Sequence, residues 1–333
     1  MKTLIIRFSS AGDIILTSLF VRVLRNRFPD GTIDFLTKKS FAPLVKSSPY
    51  VDRVISGKDD AGLSDALTLR GQLKQEEYDL VFDLHNSLRS RIVRFGLGKK
   101  RFSFQKPTFR KWLLVHFKIN RLHPIIPIPE RYLDIGSSIS LKNDGKGLDI
   151  AFEQIKLPNE QSIAKPLIVL APGARHYTKR WPATRYAAVG KGLLHDYGGT
   201  IVLLGSTEEI ETCEKVANEI AMPEAVVNLG GKTTLAQAGT LIKDSSLVIA
   251  NDSALGHVAA ACGAPLISIF GSTVEEFGFA PYSPNARVIQ NMGLRCRPCT
   301  SIGRSECPRE HFECMKGVSI EAVLTVARQI LKP

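Results

Sequence analysis

The sequence predicts an α/β protein made of two Rossmann-like halves, and three observations carry that reading. Short apolar runs alternate with helical periodicity almost from end to end, the signature of parallel strands joined by crossover helices. The alternation lapses in a polar stretch, residues 142–165, and then starts afresh. The length, 333 residues, suits two domains better than one.

Taken in order, apolar runs at Thr3–Phe8, Ile33–Thr37, Arg53–Ile55 and Leu80–Leu84 predict strands in the first half. Helical spacing at Ile14–Phe28, Phe41–Lys46, Leu63–Glu76 and Leu88–Phe95 predicts the intervening helices. From Lys99 to Pro129 the pattern degrades into a basic, aromatic, Pro-punctuated region, read as helices and loops covering the sheet edge. Lys142-Asn143-Asp144-Gly145 and Pro158-Asn159-Glu160 mark the polar lapse, and domains are expected at 1–155 and 156–333. The second half predicts strands at Leu167–Ala171, Thr200–Leu204, Ala225–Asn228, Ser246–Ala250 and Leu266–Phe270. Its helices are expected at Pro182–Asp196, Thr207–Ile220, Thr233–Ile242, Ala254–Cys262 and Ser319–Leu331, the last free to pack back on the first domain.

Composition narrows the class. The chain is 44% hydrophobic and 23% charged, ordinary for a globular protein with a sizeable core. No apolar run is long enough to span a bilayer. A strand begins at once, without a signal-peptide layout, so a cytoplasmic protein is expected. The net charge is +12, and the excess is concentrated. Between Asp83 and Glu130 there is no acidic residue, while Arg89, Arg91, Arg94, Lys99, Lys100, Arg101, Lys106, Arg110, Lys111, Lys118 and Arg121 are interleaved with Phe and Trp. A merely solvated face would carry some acids; this one predicts an anionic partner.

Chemistry is expected in the loops at the carboxyl ends of the strands, where ligands bind in such sheets. The first loop, Ser9-Ser10-Ala11-Gly12-Asp13, lacks both a dinucleotide fingerprint and a P-loop lysine. Asp13 reads either as a helix cap or as a general base, with Ser10 and Gly12 beside it. The second loop, residues 171–182, gathers Arg175, Lys179 and Arg180 just before a helix opened by Pro182. Cations are electrostatically wrong for a helix N-terminus unless an anion sits between them. Trp181 is expected in the core beneath.

The third loop, Asn251-Asp252-Ser253 followed by the small-residue helix Ala254–Cys262, offers unpaired backbone N–H groups to a phosphate. A weaker loop holds Glu208 and Glu209, which could accept hydrogen bonds from a ribose or simply suit the helix dipole.

The ordered combination S-S-x-G-D, K-x-W-P and N-D-S-x-x-x-H-x-A-A-A-x-G-x-P resembles the family-9 glycosyltransferases, the ADP-heptose:lipopolysaccharide heptosyltransferases and their relatives, along nearly the whole chain. The resemblance implies a GT-B fold, two Rossmann-like domains facing a central cleft, with acceptor bound by the first and nucleotide sugar by the second. It implies inverting, metal-independent transfer of heptose from ADP-heptose to the lipopolysaccharide inner core. By matching positions, Asp13 becomes the base; Ser10, Gly12, Arg89 and Arg91 are expected to line the acceptor side. Lys179 and Arg175 face the diphosphate, Asp252 the sugar, and Ser253, Ala254, Gly256 and His257 form the phosphate turn. Glu208 or Glu209 falls near the nucleoside. The anionic glycolipid acceptor places the protein peripherally at the inner face of the inner membrane. One departure stands out: the family's turn often has Gly where this chain has Ala254, which would be strained if φ were positive there.

Four cysteines, Cys296, Cys299, Cys307 and Cys314, cluster near the C-terminus. Free thiols, disulfides or a metal fit such spacing, and a structural zinc bound by four thiolates is the simplest metal reading. Cys213 and Cys262 read as small core residues. Two competing functions use other features: a nucleotide-sugar epimerase of similar architecture, which needs no basic surface, and a nucleic-acid binder, which leaves the phosphate-type loops unexplained.

Overall fold

The computed structural model describes residues 1–60, 62–155 and 163–332; the expected Pro158-Asn159-Glu160 boundary lies outside them. By packing, the chain divides into two compact units, residues 1–107 with 126–151, and residues 108–125 with 152–333.

In the first unit, β1 (Lys2–Ile6), β2 (Thr32–Lys38), β3 (Arg53–Gly57), β4 (Leu80–Asp83) and β5 (Lys100–Ser103) form a five-stranded parallel sheet in the order β3-β2-β1-β4-β5. Its helices are α1 (Ala11–Leu16), α2 (Ser18–Arg27), α3 (Ala42–Lys46), α4 (Leu63–Lys74), α5 (Leu88–Arg94) and, after α6 (Thr108–Phe117) of the second unit, α7 (Ile128–Asp134). The central strands read as continuous apolar runs because both faces are covered; Leu4, Ile5 and Ile6 are fully buried.

Two local features depart from the sequence reading. The helix expected at Ile14–Phe28 begins earlier and is split at Thr17, whose hydroxyl donates to the Ile14 carbonyl at 2.7 Å and so competes with the backbone ladder. Strand β5 is the sheet edge itself, in a stretch read as covering that edge; its charged Lys100-Arg101 start hid it, as edge strands often do. The polar segment after α7 is pinned to α2 by buried Arg22, which holds Asp144 at 2.8 Å, Asp149, and the carbonyl of Gly147.

The second unit carries six parallel strands, β6 (Leu167–Ala171), β7 (Thr200–Leu203), β8 (Val226–Asn228), β9 (Leu247–Asn251), β10 (Leu266–Phe270) and β11 (Ala286–Gln290), ordered β11-β10-β9-β6-β7-β8. Its remaining helices are α8 (Ala183–Tyr197), α9 (Ile210–Ile220), α10 (Leu235–Lys243), α11 (Ala254–Ala261), α12 (Glu313–Lys316) and α13 (Ile320–Leu331). Helix α13 packs on α8 and on β9 to β11, burying Val323, Leu324 and Ala327. Strand β11 was missed for the same reason as β5: it is a short edge strand with an exposed Arg287.

Both sheets are doubly wound, so each has one point where strand order reverses. In the first unit that point lies between β1 and β4; in the second it lies between β6 and β9. Loops following those four strands are where such folds place ligands. Among the described residues no helix is long and apolar enough to cross a membrane.

Candidate active site

At the first switch point, Asp13 occupies the third position of α1. Its Oδ2 accepts from the Ser10 backbone N–H at 3.0 Å and from the Ser10 hydroxyl at 2.7 Å, so the capping role foreseen for it is real. Its other oxygen meets Arg7 Nη2 at 2.7 Å. Arg7 is buried, donates to the Leu84 carbonyl at 2.6 Å, and lies 5.9 Å from the centre of the Tyr132 ring. Burial alone would raise the Asp13 carboxyl, but the Arg7 charge and the Ser10 hydrogen bonds outweigh it and hold it below its ordinary value. Asp13 is therefore ionised throughout the neutral range.

His85, following β4, stands edge-on to Phe8 with ring centres 5.6 Å apart. Burial, then Arg7 and Lys106, push it down to about 3, so it is a neutral imidazole at neutral pH. Lys106 is itself lowered, by burial and then by Arg7, while Asp13 partly offsets this. Arg89 lies 4.3 Å from the Phe8 ring centre and donates to the Lys58 carbonyl. Arg91 is exposed and donates to Asn86 Oδ1 at 2.8 Å. Thus Ser10, Gly12 and Asp13 come together, whereas Arg89 lies against Phe8 and the Lys58 end of β3 and Arg91 is exposed on α5. Arg7, His85 and Lys106 were missed; a charged residue closing a buried apolar strand was the available signal for Arg7.

The second switch point is stitched together by Asn251. Its amide donates to the carbonyls of Pro172 at 2.8 Å and Gly173 at 3.2 Å, and its oxygen accepts from the Trp181 N–H at 3.0 Å. Both ends of the 171–182 loop are so tied to the end of β9. Trp181 is buried, as expected, and donates to the Val318 carbonyl at 3.1 Å.

Within this frame Lys179 Nζ meets Asp252 Oδ2 at 2.7 Å, and Thr273 donates to the same oxygen at 2.7 Å. Arg175 is exposed on the same loop. His176 reports the local field: burial, then Lys179, Arg175 and Arg180, drive its pKa down. The loop is electropositive, as an anion site must be.

Ser253 caps α11 without a side-chain cap hydrogen bond, and its buried hydroxyl has no partner among the described residues. With the first N–H groups of α11, which have no intrahelical acceptor, it makes up a set of donors at the helix start. Ala254 opens the helix in ordinary helical geometry and is absent from the positive-φ positions, so the strain that Ala254 would have suffered does not arise. Gly256 is needed for space: a Cβ there would meet the Asn251 carbonyl oxygen at 3.2 Å. His257 is buried in the first turn.

Glu209 accepts from the Ser206 N–H at 2.8 Å and lies so close to Gly173 that a Cβ there would sit 2.1 Å from its carboxyl carbon. It therefore belongs to the same loop cluster, whereas Glu208 is exposed.

The cysteine-rich segment acts as a buttress. Thr178 donates through its N–H to the Arg304 carbonyl at 3.2 Å and accepts from the Arg304 N–H at 2.9 Å, and Gly303 leaves room for His176 against it. Ser272 donates to the Thr178 hydroxyl at 2.9 Å. Cys296, Cys299, Cys307 and Cys314 are free thiols, with Cys296 Sγ 3.8 Å from His311 Nε2. Among the described residues no three His, Cys, Asp or Glu side chains converge as a metal-holding group, so the expected zinc ligand set is not formed. Burial pushes the Cys213 and Cys262 thiols up to about 12, in keeping with inert packing residues.

Comparison with known proteins bears on the whole chain. The description glycosyltransferase family 9 (heptosyltransferase) matches residues 66–309. Lipopolysaccharide heptosyltransferase 2 of Escherichia coli strain K12 is 29% identical over 308 residues, spanning 87% of this chain and 88% of that protein. The solved structure of E. coli ADP-heptose lps heptosyltransferase II superposes with a TM-score of 0.73 at 24% identity, covering 99% of this chain and 98% of that one. A glycosyl transferase family 9 structure from Veillonella parvula gives 0.77 at 20% identity, covering 99% and 97%. The two doubly wound units are those of a GT-B fold, and the chain belongs to glycosyltransferase family 9, the heptosyltransferases.

Proposed function

We propose that this glycosyltransferase moves heptose from ADP-heptose to the lipopolysaccharide inner core, with inversion and without a catalytic metal. The observation that carries the reading is chemical. Each sheet places a charged loop pair at its own switch point, and the two pairs have complementary chemistry: an ionised carboxylate in one, cations and helix N–H donors in the other. Residues 1–155 are taken as the acceptor-binding domain and 156–333 as the donor-binding domain.

In the transfer step, Asp13 accepts the proton of an acceptor hydroxyl as that oxygen attacks the anomeric carbon opposite the leaving group. The C–O bond to the diphosphate breaks and ADP departs with negative charge growing on its β-phosphate. Lys179, Arg175, the Ser253 hydroxyl and the N–H groups at the start of α11 stabilise that charge, the largest expected contribution to rate. Gly256 and His257 shape the turn. Asp252, an anion, would repel phosphate; its role is to orient Lys179, to which it is bonded, and to accept from sugar hydroxyls. Glu209 meets the nucleoside.

Arg89, with Ser10 and Gly12, faces the acceptor, an anionic glycolipid, and the enzyme works as a cytoplasmic protein peripheral to the inner membrane. The Arg7 clamp keeps Asp13 anionic before the acceptor arrives.

The deciding experiment pairs thermal shift with product analysis. Stabilisation by ADP and ADP-heptose, but not by UDP or GDP sugars, together with mass-detected heptosylation of a core acceptor, is expected. Selective stabilisation by a UDP sugar, or conversion of the donor without transfer, would replace this reading with another nucleotide-sugar enzyme.

A further inference from the structure

Helix α6 carries an aromatic face that is exposed among the described residues. Its inward side is well accounted for. Leu114 is buried among Leu122, Val274 and Phe277, and Lys111 lies 5.2 Å and 4.9 Å from the ring centres of Phe277 and Phe279. With about 100° per residue, positions 109, 112 and 116 fall on the opposite side. Phe109 and Trp112 are 68% and 45% exposed, and Phe117, at the last position of the helix, is 59% exposed. They are not scattered: Phe109 stacks on Trp112 at 6.0 Å, and Trp112 packs against His116 and Phe117, each at 5.2 Å. The result is one continuous aromatic ridge, followed in the chain by exposed Ile119 and Ile125.

Charge decides what the ridge faces. Arg110 and Arg121 flank it and form no ion pair among the described residues. The segment contributes no acid of its own; Glu276, which accepts from Asn120 at 3.3 Å, approaches from the packed side. A second copy of the chain on a two-fold axis would set these cations against themselves. Aromatic rings at a basic helix surface suit the headgroup layer of an anionic bilayer, where amphipathic rings sit at the interface and cations meet lipid phosphates.

We propose that α6 seats the protein on an anionic phospholipid surface, with Phe109, Trp112 and Phe117 entering the headgroup region and Arg110 and Arg121 lying against its phosphates. This deepens the peripheral-membrane part of the proposed function by assigning it to one helix, and rests on that reading.

The test uses the full-length protein and vesicles of phosphatidylethanolamine with about 30% phosphatidylglycerol, against phosphatidylcholine vesicles, at about 100 mM salt. Co-sedimentation is expected with the anionic vesicles only. Brominated phosphatidylglycerol is expected to quench Trp112 and spare Trp181, which is buried in the second unit. The Phe109→Ser/Trp112→Ser double variant should bind at least about tenfold more weakly, while its transfer rate to a water-soluble, deacylated acceptor stays at the wild-type level. Binding that survives the double variant, quenching of neither tryptophan, concentration-dependent dimerisation lost in the variant, or preference for RNA over the vesicles would each overturn the assignment. Loss of transfer to the soluble acceptor by wild type, with vesicle binding intact, would instead sink the enzymatic reading and leave the surface standing.

Discussion

The two switch points solve the same electrostatic problem with opposite signs. In the first unit a carboxylate sits at a helix N-terminus, where the dipole favours it, and a buried arginine from the preceding strand clamps it. In the second unit the cation comes from the loop, the partner carboxylate stands immediately before a helix, and the helix start itself is left with an unspent hydroxyl and N–H groups. The first arrangement is filled from within the protein and keeps one charge poised. The second is over-supplied with donors and is complete only with an anion present. That contrast is what the proposed division of labour rests on, a proton acceptor in the first unit and leaving-phosphate donors in the second.

The strongest way to break the comparison is Asp13→Asn. The amide can still accept from Ser10 but cannot take a proton, so kcat/KM should fall about a thousandfold, with ADP affinity nearly unchanged. Normal turnover would remove Asp13 as base. On the other side, Lys179→Met should lower kcat/KM about a hundredfold and also weaken ADP binding, because the lost cation serves both; unaltered ADP affinity in calorimetry would contradict the donor-side role.

A third variant separates charge from chemistry. Arg7→Met leaves Asp13 buried without its guanidinium and should cost about 3 kcal/mol of stability, as breaking a buried pair does. In the wild type Asp13 is depressed, so its stabilising contribution is complete above the unfolded carboxylate value and is lost only as pH falls through the still lower folded value. Without Arg7, burial dominates and raises Asp13, so the acid limb of kcat/KM should move up toward neutrality. An unshifted pH profile would show that Arg7 is structural only.

The smallest effect sharpens the donor turn. Ala254→Gly should change stability by no more than about 1 kcal/mol and leave ADP affinity unchanged, because φ at 254 is already helical. Tighter binding by the glycine variant would revive strain at that position.

Much of this was legible in one dimension. Strand-to-helix periodicity located every central strand, because a strand buried on both faces must be apolar throughout. Asp13, Lys179 and Asp252 were legible because each is a charge at a strand end, where sheet topology gathers ligands. What escaped was either exposed or distant. Strands β5 and β11 are short edges with charged residues, each paired on one side only. Arg7 looked like the end of a strand, and its function is visible only when α1 returns Asp13 to it. Lys106 and His85 act through fields set by burial, which no local pattern encodes. Asn251 stood in the sequence only as the first residue of the third loop, yet it is the tie between β9 and both ends of the 171–182 loop. The cysteine spacing suggested a metal among other readings; among the described residues the four thiols are free and no metal-holding group is formed.

By itself, then, the sequence determined the α/β class, the restart of a second half, and the chemical character of each loop, because periodicity and residue type are local properties. Only the tertiary structure decided strand order, and with it the two reversal points that bring loops separated by about seventy residues or more together. It also decided which charges are paired and which donors remain unspent. Pairing and burial depend on distance in space, and the chain sets that distance only after it has folded.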